Sequence, residues 1–149
     1  MDCYACQLTA GQDDLPGGQI HHTQHWVVEH STGPLGVGTL IVKPLRHCLH
    51  IWELSSVETT EIGPLLQEVF QVISDLLQPD QVYVCLWSHA GWQPQHLHFV
   101  VQPSWEHLKN ISDKPDPFLQ AAMFRTGTAL NQAAVEQFRE RARAAFKKI

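Results

Sequence analysis

Long apolar runs are missing from this chain, and none of its hydrophobic stretches approaches the roughly 18 to 20 residues that span a bilayer as a helix. A membrane is therefore not an expected partner. Basic residues are few as well: 10 Lys and Arg stand against 15 Asp and Glu, for a formal charge of -5 and a pI near 6.0. No basic run occurs outside the last few residues. Nucleic-acid polymers and anionic membranes are held by clustered Lys and Arg, so both are excluded as expected ligands. The first residues, Met1 to Cys6, lack the pattern of a signal peptide, which predicts a cytoplasmic chain whose four cysteines are reduced. Internal repeats and low-complexity segments are absent too. What is present is 149 residues, 44% hydrophobic and 17% charged, enough for a single domain with one core.

The pair Cys3-x-x-Cys6 reads in a reducing compartment as a metal or redox site before it reads as a disulfide. A redox pair of the thioredoxin kind follows a strand and opens a helix, and no strand precedes Cys3, so metal binding is the better reading. Two thiolates leave a tetrahedral site half filled, and the remaining ligands must come from elsewhere. Residues 11 to 24 are rich in turn formers and predict a surface loop. Trp26 to Glu29 and Thr39 to Val42 predict strands, the second stopped by Pro44. Histidines 21, 22, 25 and 30 share no ligand spacing and are expected to be solvated.

Ser55 with Glu58 three residues on is a capping box. Beyond it Ile62, Leu65, Leu66, Val69, Ile73 and Leu76 recur at helical spacing, which predicts a long amphipathic helix closed by Gln78-Pro79-Asp80. Gly63-Pro64 inside it implies either a separate first turn or a kink. Val82 to Trp87 predicts a strand neighbouring the stretch His96 to Val101, where side chains two apart share a face. Leu97, Phe99 and Val101 would point one way, and His96, His98 and Val100 the other. The connection Ser88-His89-Ala90-Gly91-Trp92-Gln93-Pro94 is longer than a tight turn and rich in donors, which marks it as a place for a ligand. After Pro103, Asp116-Pro117 predicts a short helix closed by Gly127. Asn131 predicts a last helix with Val135, Phe138, Ala142 and Phe146 on one face.

Three patterns in this order resemble the histidine triad (HIT) family of nucleotide hydrolases and transferases, over roughly Cys3 to Pro103. The first is Gly91, then His96-x-His98 five residues later and Pro103 five beyond His98. The second is Gly38 with the apolar strand, Pro44 and His47, and the third is Cys3-x-x-Cys6. The resemblance implies an α+β fold with an antiparallel sheet, one long helix packed on it and a helical C-terminal tail. The domain core would span about 3–103 and the helical extension about 104–149. It also implies a homodimer.

By the same resemblance His98 is the nucleophile toward the α-phosphorus of a nucleotide ester, phosphoramidate or dinucleoside polyphosphate, with His96 beside it in the catalytic set. A neutral imidazole keeps one lone pair at pH 7 and forms an activated P–N bond, provided its other nitrogen donates a hydrogen to a fixed partner. Zinc-binding members imply a structural zinc ion on Cys3, Cys6, His47 and His96. The chain departs from the family at Val100, which stands where the third histidine is usual, at Ser31 for an aspartate, and at Trp92 for a glutamine. Ser88, His89 and Gln93 are the expected substrate contacts that would compensate. The alternative is a nucleotide-binding or regulatory protein with little or no turnover. A catalytic metal shared by His89, His96 and His98 ranks below both, because it leaves Cys3 and Cys6 without a role.

Overall fold

The computed structural model describes residues 3–15, 18–88, 95–111, 118–127 and 129–148. The expected ligand residues His89 and Gln93, and the helix opening at Asp116-Pro117, lie outside them. Helix α1 spans Tyr4–Thr9 and is followed by strands β1 (Gln19–His22), β2 (Trp26–His30) and β3 (Leu40–Pro44). Helix α2 (Ser56–Leu77) leads to β4 (Gln81–Trp87) and β5 (His98–Ser104), and then come α3 (Phe118–Thr126) and α4 (Gln132–Phe146). The five strands form one sheet in the order β1-β2-β3-β5-β4, every neighbouring pair antiparallel. The architecture is α+β, as the sequence predicts.

Alternation along the strands sorts side chains onto two faces. Trp26, Val28, Leu40, Val42 and Val101 face α2 and α4, where they pack with Leu65, Val69 and Ile73 and with Phe138 and Ala142. Removing this apolar surface from water is the main stabilising term. On the opposite face Val100 packs with Leu35, Leu119 and Met123, so α3 covers the sheet from the other side.

The long helix begins as its sequence dictates. The Glu58 amide donates to Ser55 Oγ at 3.3 Å, and the Ser55 amide donates to Glu58 Oε2 at 2.7 Å. Pro64 sits inside one continuous helix, on its exposed side, where water can take the carbonyl that the missing N–H leaves unpaired. Neither a separate first turn nor a break in the helix is found. Asn131 caps α4 by accepting from the Ala134 amide at 3.2 Å.

Three expectations are corrected. The stretch 11 to 24 is not all loop: Gln19–His22 pairs with β2, a strand disguised by having Ile20 as its one aliphatic residue. The histidine strand starts at His98, and His96 precedes it. Of the histidines expected in solvent, His30 is buried. It donates from Nδ1 to the Ser31 carbonyl and accepts the Gly38 amide at Nε2. His21 stacks on Phe146, and His25 pairs with Glu61 at 2.6 Å.

Candidate functional site

Cys3 caps the N-terminus of α1 and Cys6 lies inside it, so three residues of spacing bring both sulfurs to one side of a single helical turn. His47 follows β3, and His96 comes in just ahead of β5. Their ligand atoms all lie within 4.8 Å of one another. The His96 Nδ1 is 3.6 Å from Cys3 Sγ and 3.5 Å from Cys6 Sγ, and Cys6 Sγ is 3.5 Å from His47 Nδ1. Bonds of about 2.3 Å to sulfur and about 2.05 Å to nitrogen at the tetrahedral angle separate such atoms by roughly 3.6 Å. Three of the ligand-atom separations therefore match those of a tetrahedral metal site, and all four atoms lie close enough to hold one ion.

The state of the ligands agrees with that geometry. His96 Nε2 lies 2.9 Å from the Pro44 carbonyl. A carbonyl only accepts, so Nε2 carries the hydrogen and Nδ1 presents its lone pair to the sulfurs. Burial, ahead of the other influences, lowers the pKa of His96 to about 4, which keeps the ring neutral as ligation requires. Burial first and Cys3 second push the Cys6 thiol up to about 11, so a cation entering here displaces a proton.

His98 opens β5 on the face opposite the main core. Its Nδ1 donates to the His96 carbonyl at 2.8 Å, which places the lone pair on Nε2 and fixes the ring plane. The imidazole lines a cavity of about 320 Å³ shared with Ser31, Ile41, Trp87, Val100 and Phe124. That volume is at the lower end of small-molecule sites. Val100, where a third histidine is usual in the resembling family, is buried and offers the cavity only methyl groups. Its carbonyl accepts from Gln120 Nε2 at 3.2 Å, while Gln120 Oε1 accepts from Trp87 Nε1 at 3.0 Å, so α3 locks this part of the wall.

Solved structures with the same architecture come from histidine triad proteins. A hypothetical histidine triad nucleotide-binding protein from Sulfolobus tokodaii matches with a TM-score of 0.73 and 18% identity, over 98% of this chain and 93% of the other. A zinc-bound histidine triad family protein from Mycobacterium smegmatis matches with a TM-score of 0.70 and 16% identity, over 99% and 95%. The diadenosine triphosphate hydrolase of Plasmodium falciparum matches with a TM-score of 0.60 and 16% identity, over 92% and 78%.

The chain has the histidine triad fold. No family model and no curated protein matches the sequence itself, so what this histidine triad fold does must be argued from its own residues.

Within the fold, Ser31 is buried and takes the Gly33 amide on its hydroxyl at 3.1 Å, at the cavity wall. Ser88 lies one residue beyond β4 and is not among the described residues lining the cavity. Cys48 is buried and its thiol donates to the His50 carbonyl at 3.3 Å, apart from the four-residue cluster. The structure adds two groups that sequence reasoning missed. Glu29 of β2 and Lys43 of β3 form an ion pair of 2.6 Å with both side chains almost wholly buried, in the same cavity wall. Each is the one Asp, Glu, Lys or Arg in a buried strand, and that was the available signal, because a charge inside a buried strand requires a partner. No helix among the described residues is long and apolar enough to cross a membrane.

Proposed function

We propose that this protein is a nucleotidyl hydrolase or transferase acting on the α-phosphate of a nucleotide phosphoramidate, ester or dinucleoside polyphosphate, through a covalent nucleotidyl-histidine on His98. The observation that carries the reading is the bond from His98 Nδ1 to the His96 carbonyl, which assigns the hydrogen to Nδ1 and the lone pair to Nε2 in a ring that lines the cavity. In the first step Nε2 forms a bond to the α-phosphorus while the bond to the leaving oxygen or nitrogen breaks, and the leaving group keeps the electron pair and takes up a proton. In the second step water or another acceptor attacks the phosphorus and gives up a proton, which balances the one taken by the leaving group, the P–N bond breaks with its electron pair returning to Nε2, and neutral His98 is restored.

Cys3, Cys6, His47 and His96 would hold a structural zinc ion. A closed set of two thiolates and two imidazoles leaves no open position, so the ion ties α1 to the sheet and holds His96, while the chemistry stays on His98. Reduced thiols at this cluster fit a cytoplasmic protein. Strand β4 is a sheet edge that exposes Val84 and Leu86, which supports a homodimer joined along that edge. Val100 favours a second reading. A wall of methyl groups beside the nucleophile withholds a donor from the phosphate, as in a nucleotide-binding protein that turns over little or not at all.

The two readings separate on incubation with an adenosine phosphoramidate or a diadenosine polyphosphate. A nucleotidyl adduct mapped by mass spectrometry to His98, with release of the leaving group, supports catalysis. Binding with neither adduct nor release supports the second reading, and an adduct on any other residue refutes the role of His98.

A further inference from the structure

The Glu29 carboxylate does two different things with its two oxygens. Oε2 is held by Lys43 Nζ at 2.6 Å, and Lys43 Nζ in turn donates to the Ala5 carbonyl of α1 at 2.7 Å. Oε1 is buried and has no hydrogen-bond partner among the described residues. An unpartnered acceptor on a charged group is unfavourable in a dry interior, and Lys43 Nζ directs two of its three hydrogens to Glu29 Oε2 and the Ala5 carbonyl. Glu29 is also a wall of the cavity that His98 lines. Around it that wall is apolar and partly aromatic, with Leu8, Ile41, Trp87 and Phe124. Such surfaces suit the faces of a flat heterocycle, leaving its polar edge to be matched by a polar group of the wall. Ser31, Thr32 and His98 also line it, but Glu29 Oε1 is the buried wall acceptor that no described residue satisfies.

We infer that Glu29 is the residue that selects the base, with Oε1 accepting a hydrogen bond from an exocyclic amino group of a nucleotide heterocycle while Lys43 and Ala5 hold the carboxylate in place. This deepens the nucleotide reading and rests on it. A carboxylate is acceptor-only, so a base carrying hydrogen in place of the amine leaves Oε1 unsatisfied, and sites built around such a bond reject the analogue lacking it. A buried pair kept only for structure is expected to satisfy both carboxylate oxygens, whereas here Oε1 has no partner among the described residues.

The test compares binding of AMP with that of purine riboside 5′-monophosphate, which is the same molecule without the 6-amino group, by calorimetry on the full chain. Wild type is expected to bind AMP at least about tenfold more tightly. Glu29→Gln keeps the volume and an acceptor for Lys43 but turns an NH₂ toward the ligand, and it should abolish the preference. Glu29→Leu/Lys43→Met replaces the whole pair with apolar side chains of similar size, a change that folds tolerate. It should bind both nucleotides equally, with thermal melting confirming the fold. Equal affinities in wild type, or a preference that survives in both variants, overturns the assignment of Glu29 and leaves the nucleotide reading standing. Failure of wild type to bind either nucleotide overturns both.

Discussion

The backbone carbonyl of His96 accepts the Nδ1 hydrogen of His98 at 2.8 Å, while the ring of the same His96 points its Nδ1 at two cysteine sulfurs, 3.5 and 3.6 Å away. One residue thus belongs to the metal-ligand cluster through its side chain and sets the tautomer of the neighbouring imidazole through its main chain. Disturbing the cluster should therefore reach the nucleophile without touching it.

His98→Asn is expected to keep the fold, since its ring packs at a cavity wall and outside the two apolar clusters. Turnover should fall by on the order of a thousandfold or more, as when a nucleophile is deleted elsewhere, and the nucleotidyl adduct should vanish. Quenched-flow trapping of the adduct checks this, and an undiminished adduct in the variant refutes the assignment.

Removal of the metal should act on stability first. Chelation of purified protein, or Cys3→Ala, is expected to release about one zinc per chain. An ion held at a hundredfold over its dissociation constant stabilises by about 2.7 kcal/mol, and for a chain of this size that corresponds to a fall in Tm of roughly 5 to 11 °C. Activity should decline along with stability because the His96 carbonyl loses its anchor. Zinc binding should also tighten as pH rises, since the Cys6 thiol sits at about 11 and its proton must leave. Metal analysis with melting curves decides the first point, and titrations in buffers of different ionisation enthalpy decide the second.

Several of these features are legible in the sequence, for separate reasons. The capping box at Ser55 and Glu58 and the cap at Asn131 are local chemistry, readable wherever a donor and acceptor are three residues apart. The face alternation of β5 follows from the pleat, although its start at His98 does not, because the bond from the Leu97 amide to the Cys48 carbonyl belongs to tertiary structure. Cys3, Cys6, His47 and His96 are converged by the topology, and only the resemblance to a family pointed to all four beforehand. Glu29 and Lys43 escaped because their strands read as ordinary apolar segments until β2 and β3 are set side by side. Val27 is then opposite Lys43 and Glu29 opposite Ile41, one diagonal step apart on one face.

The edge of the sheet should carry the dimer contact. Val84 and Leu86 are 41% and 43% exposed on a strand with one unpaired side, an arrangement that invites a second strand. Sedimentation of wild type is expected to give a dimer. Val84→Lys/Leu86→Lys should give a folded monomer, since charges on an edge block pairing without entering the core. A wild-type monomer at micromolar concentration refutes the interface.

Acid should weaken the start of α2 before it reaches the rest of the fold. Glu58 is held to a pKa of about 2, first by Arg46 and then by Ser55, against an ordinary value of 4.5. Arg46 grips it twice, from Nε to Oε1 at 2.7 Å and from the guanidinium to Oε2 at 2.9 Å. The folded value lies below the unfolded one, so the folded chain binds fewer protons, and the contribution is complete above pH 4.5 and is lost as pH falls from there toward 2. The shift alone corresponds to roughly 3 kcal/mol. Arg46 is 47% exposed and water screens its side of the pair, which brings the expected loss to about 1 to 2 kcal/mol. Glu58→Gln should show most of that loss already at pH 7 and a flatter slope of stability between pH 5 and 3 than wild type. Urea unfolding across that range measures both, and parallel slopes for the two proteins would mean that the acid sensitivity resides in some other carboxylate.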